Sequence, residues 1–494
     1  MTLTKATYSM ITGAPANVLD FGAVGDGVAN DRDAIQAAFD ASDVVCFPAG
    51  TYYVGQLASG ATAIDLRGKG NNITILTQGF VELVCETTNT SETSFFILRP
   101  TDGETSSNFY CDPIRFRDTG FVGDYPYRGA VGFLIQNGNS NWGNLRFIGI
   151  YGRDIYGAIQ VSNYNNSDIS NNRIRGLFVD EIFVDNGIYG VNLAAQGDGC
   201  YFKKIVTYQV YRAFFAYNVQ GVEATIYARN NRSTTGVINL GWFTQASTPP
   251  DLSGVKVRYV ARECVESVNH VLINVIGPDL GTIKGVDLDL DIQDTVTGNR
   301  AVNFVYYPTS GGYPDPTTLA NTITDIVIRG RVEDASNTIY SEANFTTPGR
   351  ITLLSTNIPV AASAYNNFVF STVRTYATTW TASSVNPAIG NGTLSAEYSV
   401  SDGLCIVSIQ LIAGSTTTFG TGVWSFALPI TNRGALPSFG TARASDGGTF
   451  YVGAAYASGT VAQVAFNATL LAQNTVPFSW GSGDVLNLTV TYPI

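Results

Sequence analysis

Apolar residues near the start of the chain recur with the spacing of one short amphipathic helix. In DRDAIQAAFDA, Ile35, Ala38 and Phe39 lie three and four positions apart and share a helical face. Asn30 or Asp31 provides the N-cap. The next segment, DVVCFPAGTYYV, predicts a strand, a turn and a second strand. The pattern therefore predicts one short helix followed by β-structure.

From about residue 60 strand follows strand, and the central region repeats imperfectly. Equivalent apolar positions recur every 21 to 33 residues without a helical pattern between them. This spacing predicts a solenoid in which each repeat forms one coil of a parallel β-helix and stacked coils bury a continuous core. The positions taken as equivalent are Ile182, Ile205, Ile226, Tyr259 and Leu290. The aligned segments are 178–193, 201–216, 222–231, 255–273, 286–304 and 323–340.

The two ends of this region differ from its middle. An open end of a β-helix exposes a strand edge that invites aggregation, so we expect the amphipathic helix to cap it. After IPVAASAYNN the chain becomes rich in Thr, Ser and Gly, with short alternating strands that predict a separate antiparallel β-sandwich. The predicted divisions are a lead-in (1–16), the cap with the first turns (17–59), the β-helix (60–358), a linker (359–375) and the sandwich (376–494).

Three motifs in the first 54 residues resemble the N-terminal signature of the pectate-lyase-like superfamily: NVLDFGAVGDG (17–27), DRDAIQAAF (31–39) and CFPAGTYYV (46–54). The lead-in ATYSMITGAPANVLDFGAVGDG is similar to the start of the spike domain in bacteriophage tailspikes and capsule depolymerases. The signature indicates the fold only. Its glycines and Asp26 form a turn, so the resemblance identifies no catalytic residue in this chain.

This resemblance implies a complete architecture. It implies an all-β fold, a right-handed single-stranded parallel β-helix with a short N-terminal capping helix, followed by the C-terminal antiparallel β-sandwich. It also implies a parallel homotrimer. The run GSTTTFGTGVWSFALP (414–429) resembles a C-terminal module of phage tail fibres and spikes that drives trimer assembly or holds a sugar. Trimer assembly is the role we expect here.

Composition narrows the partners and the location. A net charge of −11 disfavours nucleic acid, whose phosphates need a basic patch. The opening residues lack an apolar signal region, and no stretch has the length of an apolar spanning helix. We therefore expect synthesis in the host cytoplasm, a place in the virion tail and no membrane insertion. The short lead-in predicts attachment through an adaptor protein or a longer natural chain.

Cysteine and histidine contribute little chemistry to this sequence. The six cysteines are scattered without a CxxC pair, which predicts buried thiols and neither disulfides nor a zinc site. His270 is the sole histidine, and we expect it to be structural, so histidine triads and histidine-rich metal sites are excluded. Acid–base chemistry must then come from carboxyl, Tyr, Lys or Arg side chains.

Most carboxylates of the repeat have a structural explanation. In GVDLDLDIQD, Asp287, Asp289 and Asp291 alternate with inward apolar residues and therefore point outward. The alignment stacks Asp287 on Lys256, and Asp289 on Arg258, which predicts ion pairs between coils. Calcium binding is an alternative without a supporting motif, and no cofactor is predicted.

One outward column predicts a substrate-binding groove. Asp185, Tyr208, Arg229, Arg262 and Gln293 follow one another on successive coils. Two stacked guanidinium groups repel each other unless an anion lies close by. The carboxylate of Glu263, on the next position, is one such anion, and an acidic sugar is the other.

Glu263 and Asp294 follow this column by one residue and form the candidate catalytic pair, with Glu266 as a third candidate. Strand alternation would place Glu263 and Asp294 on the inward side of the coil, where an apolar core does not tolerate a carboxylate. We therefore expect the chain to turn at both positions. Glycoside hydrolysis needs two carboxyl groups at a separation that differs between retaining and inverting enzymes. Stacking on adjacent coils permits either distance. Asp154, Asp185 and Asp198 are reserve candidates.

Aromatic residues in two loops predict sugar stacking. The insertion at 230–254 carries Trp242 and Phe243, and the segment YYPTSGGYPDP carries Tyr306 and Tyr307. Both loops are expected to leave the coil edge beside the proposed column.

The sequence thus predicts a phage tailspike that cleaves a bacterial capsule or O-antigen, with hydrolysis preferred. A lyase acting on a uronate-containing glycan and a receptor-binding spike that does not cleave remain open.

Overall fold

The computed structural model describes the chain from residue 13 onward with internal gaps. The described ranges are 13–69, 72–88, 93–99, 108–123, 128–136, 142–162, 174–193, 197–233, 235–243, 251–264, 269–276, 282–293, 299–307, 322–334, 336–341, 349–365, 368–370, 373–401, 404–434, 438–467 and 470–494. The chain divides into two compact units, the first formed by Met1–Thr347 with Ser355–Ala361 and the second by Pro348–Leu354 with Ala362–Ile494.

The described residues of the first unit form one α-helix and a set of parallel strands. Helix α1 spans Arg32–Ala41, after a 3₁₀ turn at Val18–Phe21. The strands are β1 (Ala16–Asn17), β2 (Asp26–Asn30), β3 (Val44–Leu57), β4 (Thr62–Arg67), β5 (Asn72–Thr87), β6 (Thr93–Arg99), β7 (Asn108–Cys111), β8 (Ile114–Asp118), β9 (Ala130–Gln136), β10 (Asn144–Phe147), β11 (Ile150–Ser162), β12 (Ile174–Arg175), β13 (Leu177–Val179), β14 (Ile182–Leu193), β15 (Gly197–Tyr217), β16 (Gln220–Arg229), β17 (Ile238–Phe243), β18 (Leu252–Arg262), β19 (Asn269–Ile276), β20 (Thr282–Gln293), β21 (Arg300–Tyr307), β22 (Thr322–Val332) and β23 (Thr338–Ser341).

These strands stack into three parallel faces, each defined by an inward column of side chains. Face 1 carries Val45, Ile75, Cys111, Phe147, Val179, Phe202, Ala224, Val257, Leu288 and Ile328. Face 2 carries Tyr52, Leu83, Phe116, Gly152, Val184, Thr207, Ala228, Ala261, Ile292 and Val332. Face 3 carries Ile64, Phe96, Phe133, Ile159, Val191, Phe214, Ile238, Val271, Val302 and Ile339.

The predicted register of the repeat is confirmed residue by residue. Ile182 pairs with Ile205, Ile205 with Ile226, Ile226 with Tyr259, and Tyr259 with Leu290. All five side chains are fully buried. The central region is therefore the parallel β-helix that the alternating pattern predicts.

Two columns of residues with left-handed backbone bend each coil. The first lies near the start of face 1 and consists of Gly176, Gly199, Gly221, Gly254, Gly285 and then Asp325, with φ between 56° and 70°. The second separates face 2 from face 3 and consists of Asp154, Asn186, Gln209, Asn230 and Glu263, with φ between 52° and 58°. We call these the glycine bend and the polar corner. Left-handed backbone strains most side chains, and Gly, Asn and Asp tolerate it best.

The helix covers the first coil, as predicted. Ile35, Ala38 and Phe39 are buried, and the Phe39 ring lies 6.1 Å from that of Phe96. The Asp31 carboxylate accepts the Val24 amide at 2.6 Å and the Gly25 amide at 3.2 Å, which ties the glycine turn to the helix. The cap thus adds apolar cover to the first coil.

The second unit is built from antiparallel strands. Strand β24 (Gly349–Thr356), which belongs to this unit as far as Leu354, helix α2 (Ala362–Tyr365) and strand β25 (Phe368–Phe370) precede them. The strands that follow are β26 (Arg374–Thr375), β27 (Trp380–Ala382), β28 (Thr393–Ser401), β29 (Leu404–Ile412), β30 (Trp424–Ala427), β31 (Ser438–Asp446), β32 (Thr449–Ser458), β33 (Val461–Asn467), β34 (Leu470–Leu471) and β35 (Val485–Pro493). They pair in the order β26-β28-β29-β35-β31-β32-β33-β30-β27, with β34 on β33. Trp380, Trp424 and Trp480 meet in its core.

Three further expectations concern the buried interior, metals and the membrane. All six cysteines are free and buried, as predicted. Within the described ranges, His, Cys, Asp and Glu side chains form no group of three that suits a metal ion. No helix in the part of the chain that the structure covers has the length and hydropathy to cross a bilayer.

We expect the glycine bend to depend on its backbone conformation. Gly254 has φ +63°, and a Cβ there would meet the Gly221 amide at an ordinary contact distance of 3.4 Å, so backbone strain is the main cost. Gly254→Val should lower the free energy of unfolding by about 1–2 kcal/mol, and Gly254→Asn by clearly less. Urea denaturation of both variants measures the difference. Equal losses would show that crowding, and not φ, decides the position.

Candidate functional site

The outward column predicted from the sequence exists with the predicted register. Asp185 pairs with Tyr208, Tyr208 with Arg229, Arg229 with Arg262, and Arg262 with Gln293 on successive strands of face 2. The Tyr208 side chain is 37% exposed. The column therefore presents mixed charge and one aromatic ring to solvent.

Both arginines of this column have carboxylate partners. Arg229 Nε lies 2.9 Å from Glu263 Oε2, and both side chains are more than 60% exposed. Arg262 Nη2 lies 3.2 Å from Asp291 Oδ2, and Arg262 Nη1 donates to the Ala261 carbonyl at 2.8 Å. The anion that two stacked guanidinium groups require is thus supplied from within the chain. Their binding of an acidic sugar stays a prediction.

Glu263 occupies the polar corner, where the sequence predicts a turn. Its φ of 56° and its exposed side chain confirm that the chain bends outward there. The corner recurs on earlier coils with Asp, Asn and Gln, so a polar residue at this position has a structural reason on every coil. Asp294 and Glu266, the other two candidate catalytic residues, lie outside the described residues.

The aromatic residues predicted beside the column lie elsewhere. The backbones of Trp242 and Tyr306 form part of strands β17 and β21 on face 3, where each pairs with Val275, and Tyr307 pairs with Ile276. They occupy the last positions of these strands, not loops beside the face 2 column. The expectation of their placement was wrong, because the face 3 ladder continues through segments that composition marks as loop. Their side chains lie outside the described part of the structure.

Exposed aromatic residues that the sequence analysis missed lie on faces 1 and 2. On face 2, Tyr151, Phe183, Val206 and Tyr227 stack on successive coils, two positions from the Asp185 column along each strand. Phe183 is 38% exposed and Tyr227 37% exposed. The signal was present in the sequence, because these residues have outward parity in the aligned repeats.

Face 1 carries a second aromatic column beside a shallow groove of about 610 Å³. Tyr110, Arg146, Phe178 and Tyr201 stack there in that order. Asn108 Nδ2 donates to Asn72 Oδ1 at 2.9 Å along the edge of the groove. Residues that line the groove include Asn72, Asn108, Asn144, Tyr110, Phe178 and Tyr201. We call the two aromatic columns and this groove the aromatic surface.

A charged ridge separates the two aromatic columns. Glu181 accepts hydrogen bonds from Lys204 Nζ at 2.6 Å and from the Tyr151 hydroxyl at 2.9 Å. The hydrogen bond from Lys204 lowers the pKa of the Glu181 carboxyl. Burial, followed by the bond to Glu181, raises the pKa of Tyr151. Glu181 is therefore held as a carboxylate and orients a phenol, which suits binding better than acid catalysis.

The acidic run of strand β20 forms ion pairs between coils, with one of the two predicted partners. Asp289 lies 4.0 Å from Arg258, as predicted, whereas Asp287 has Arg329 of the following coil as its partner at 2.6 Å in place of the predicted Lys256. Asp291 lies between Arg262 at 3.2 Å and Arg331 at 3.0 Å. Burial acts to raise the pKa of Asp291, but hydrogen bonds from Arg331 and Arg262 outweigh it and hold the pKa below its usual value. The run is structural.

His270 is also structural. It is fully buried, and burial lowers the pKa of its imidazole to about 3, so the ring is neutral at physiological pH. Its Nδ1 lies 3.2 Å from the hydroxyl of Tyr259, another core residue. The side chain serves the core of the coil and is closed to substrate.

One part of the chain is similar to a known family. Residues 16–237 match the family model described as rhamnogalacturonase A/epimerase, pectate lyase-like. The Mu-like prophage FluMu defective tail fiber protein of Haemophilus influenzae is 36% identical over 124 residues, which cover 24% of this chain and 20% of that relative. The chain thus matches about a fifth of the relative's length. The predicted resemblance to pectate-lyase-like and phage tail proteins is confirmed.

Solved structures with a similar course of the chain include enzymes and tailspikes. The A-module of mannuronan C-5 epimerase AlgE6 from Azotobacter vinelandii has 17% identity, covers 72% of this chain and 99% of its own, and has a TM-score of 0.37. The tailspike of E. coli bacteriophage HK620, in complex with a pentasaccharide, has 13% identity, 99% and 97% coverage, and a TM-score of 0.27. At these values the likeness carries no argument about function.

We expect the Asp291 ion pairs to make stability depend on pH. The pKa of Asp291 is lowered in the folded state, so its contribution is complete above the unfolded pKa of about 3.9 and is lost as pH falls through the folded value. Asp291→Asn should cost about 1 kcal/mol at pH 7, and progressively less as the pH falls through the lowered pKa of Asp291. Denaturation of both proteins at each pH measures this. A loss that is independent of pH would contradict an electrostatic role.

Proposed function

We propose that this protein, whose residues 16–237 match a pectate-lyase-like family, is a phage tail component that binds and cleaves a bacterial surface polysaccharide, either capsule or O-antigen. The observation that carries the proposal is the aromatic surface, which extends over successive coils of faces 1 and 2. Exposed apolar side chains in contiguous rows mark binding sites on soluble proteins. Sugar rings present apolar C–H faces that aromatic rings can cover.

The geometry of this surface suits an extended polymer. Adjacent coils are about 4.8 Å apart, so an aromatic column provides regularly spaced contacts along the helix axis. The charged ridge with Glu181 and Lys204 runs between the columns and supplies hydrogen-bond donors and acceptors for sugar hydroxyls. A chain of sugars can therefore be held over several coils without a deep pocket.

Hydrolysis by two carboxyl groups is the reaction we propose, with Glu263, Asp294 and Glu266 as the catalytic candidates. We assign the role of base or nucleophile to Glu263, which is exposed at the polar corner and forms an ion pair with Arg229. The general acid is then assigned to Asp294 or Glu266. Stacking of corner residues on adjacent coils at about 4.8 Å is compatible with either stereochemical outcome.

A receptor-binding spike that does not cleave is the second candidate. It is favoured by the aromatic surface, whose exposed Phe183 and Tyr227 rings can hold a glycan without any catalytic group. A lyase is the third reading, and its product, an unsaturated uronate, would be recognised by its ultraviolet absorbance. Release of oligosaccharides separates the spike from both enzymes.

We also propose assembly as a homotrimer in the virion tail, with an adaptor protein as a further partner. In the second unit Phe439, Phe450 and Val452 are 71%, 60% and 77% exposed. Exposed apolar side chains on the neighbouring strands β31 and β32 support contact between copies of the chain. No cofactor is required by the proposed hydrolysis, and calcium stays an untested alternative.

The catalytic proposal is tested by oligosaccharide release from purified polysaccharide of sensitive bacteria, followed by mass spectrometry. Glu263→Gln keeps the shape of the side chain but removes its charge, and turnover should fall by at least about a hundredfold. Asn230→Gln, at the same corner one coil earlier, is the matched control and should leave turnover unchanged. Full turnover by Glu263→Gln would exclude its catalytic role. No release by the unmodified protein would favour the spike.

The binding proposal is tested on the face 2 aromatic column. Phe183→Ser and Tyr227→Ser each remove an exposed ring, and affinity for the immobilised polysaccharide should fall about tenfold for each. Val28→Ser removes an exposed apolar side chain from the cap and should bind as well as the unmodified protein. Surface plasmon resonance measures all three. Unchanged affinity in both ring variants would move the binding surface away from face 2.

A further inference from the structure

The first coils of face 1 carry an asparagine where later coils carry the glycine bend. Asn72, Asn108 and Asn144 stack on one another on strands β5, β7 and β10. The pairing of β10 with β13 places Gly176 at the same position on the next coil. Among these described residues, none of the asparagines has a positive φ, so left-handed backbone does not account for them as it does for the polar corner. Their side chains need another explanation.

The amide groups of these asparagines form a ladder between coils. Asn108 Nδ2 donates to Asn72 Oδ1 at 2.9 Å, so the hydrogen bond runs from the later coil to the earlier one. The column of amides ends at Asn144, because Gly176 has no side chain. In this direction the last acceptor of the ladder is the amide oxygen of Asn144, an exposed residue. The ladder thus ends in an oxygen that is able to accept an N–H donor from a ligand.

This amide oxygen faces an aromatic ring across the glycine. A Cβ placed on Gly176 would lie 3.7 Å from Asn144 Oδ1 and 3.2 Å from Phe178 Cε2, so the two atoms are no further apart than the sum of these distances. Tyr201 stacks on Phe178 from the following coil, and both rings are exposed. A Cβ on Gly199, beside Tyr201, would meet its nearest atom only at 3.9 Å, so the bend is open there.

We call Asn144, Gly176, Phe178 and Tyr201 the ladder end. Asn144, Phe178 and Tyr201 all line the shallow groove of about 610 Å³ on face 1. The ladder end therefore presents one hydrogen-bond acceptor beside two exposed rings, at a place where no side chain of the glycine bend fills the space.

These groups match the acetamido group of a sugar. Its N–H would donate to Asn144 Oδ1 and so continue the amide ladder by one step, which the spacing of about 4.8 Å between coils allows. Its methyl group is apolar and would contact the edge of Phe178, while the C–H face of the sugar ring would cover Tyr201. A hydroxyl group at the same place supplies the donor but leaves the apolar contact unmade.

We propose that the ladder end binds the acetamido group of an N-acetylhexosamine, so that the polysaccharide recognised by this protein contains acetamido sugars. The inference names the substrate class of the aromatic surface and rests on the proposed function for its biological meaning. The binding site itself stands on the contacts around Gly176.

Saturation-transfer NMR tests the ladder end with chitotriose and cellotriose at equal concentration. These β-linked trisaccharides differ only in whether each ring carries an acetamido group or a hydroxyl group beside the anomeric carbon. The unmodified protein should transfer saturation to the ring protons of chitotriose at least about fivefold more strongly, since one hydrogen bond and one methyl contact are added. Asn144→Leu should lose most of this preference, and Asn144→Asp, which keeps an acceptor oxygen, should retain more of it.

Two further variants separate the ladder end from general effects. Phe178→Ser removes an exposed ring and should weaken saturation transfer to both trisaccharides. Asn386→Leu removes an exposed amide from the second unit, and this matched control should behave as the unmodified protein. Melting temperatures establish that each variant is folded.

Two results would overturn the proposal. One is equal transfer to chitotriose and cellotriose by the unmodified protein, and the other is an undiminished preference in Asn144→Leu. If Asn144→Leu does not fold, the unmodified protein and Phe178→Ser decide the question. Oligosaccharide release from bacteria by a protein without a preference for chitotriose would leave the proposed function intact and remove the ladder end. A preference for chitotriose without binding of any bacterial glycan would do the reverse.

Discussion

The vertical register between parallel strands is the constraint on which the rest of this structure depends. Backbone hydrogen bonds hold adjacent coils about 4.8 Å apart, so residues at equivalent positions must stack on one another. A slip of one residue would exchange the inward and outward side chains of a whole coil. The buried residues Ile182, Ile205 and Ile226 hold the register because each would become exposed. Every column described above, apolar, polar or aromatic, is a consequence.

Stacking also limits which side chains can occupy equivalent positions on adjacent coils. The glycine bend and the polar corner recur because each coil must turn at the same height with left-handed backbone. Polar residues therefore collect at the corner for a structural reason, and closeness of carboxyl groups there is weak support for catalysis by itself. On strand β20, three aspartates form ion pairs with arginines of neighbouring coils, which offsets the repulsion among the three carboxylates.

The separation of inward and outward positions leaves the outer surface free for function. Inward side chains such as Val184 and Ala228 hold the coil together, while their outward neighbours Phe183 and Tyr227 contribute little to the core. Binding residues can therefore change without loss of the fold.

The sequence by itself determined the capping helix, the β-helix, its register through Leu290 and the outward direction of the Asp185 column. These follow from local alternation and from the motif at residues 17–54, which report on neighbours along the chain and on equivalent coils. It also placed Glu263 at a turn, because a carboxylate cannot follow inward parity into an apolar core.

Only the tertiary structure decided which side chains meet across corners and between faces. The pairing of Arg229 with Glu263 and the position of Trp242 and Tyr306 on face 3 depend on where each coil bends. The length of an insertion does not show at which residue the coil bends. Composition also predicted loops in segments that form the ends of face 3 strands. Periodicity specifies the height of a residue along the axis. The three-dimensional course of the coil decides which residues its side chain contacts.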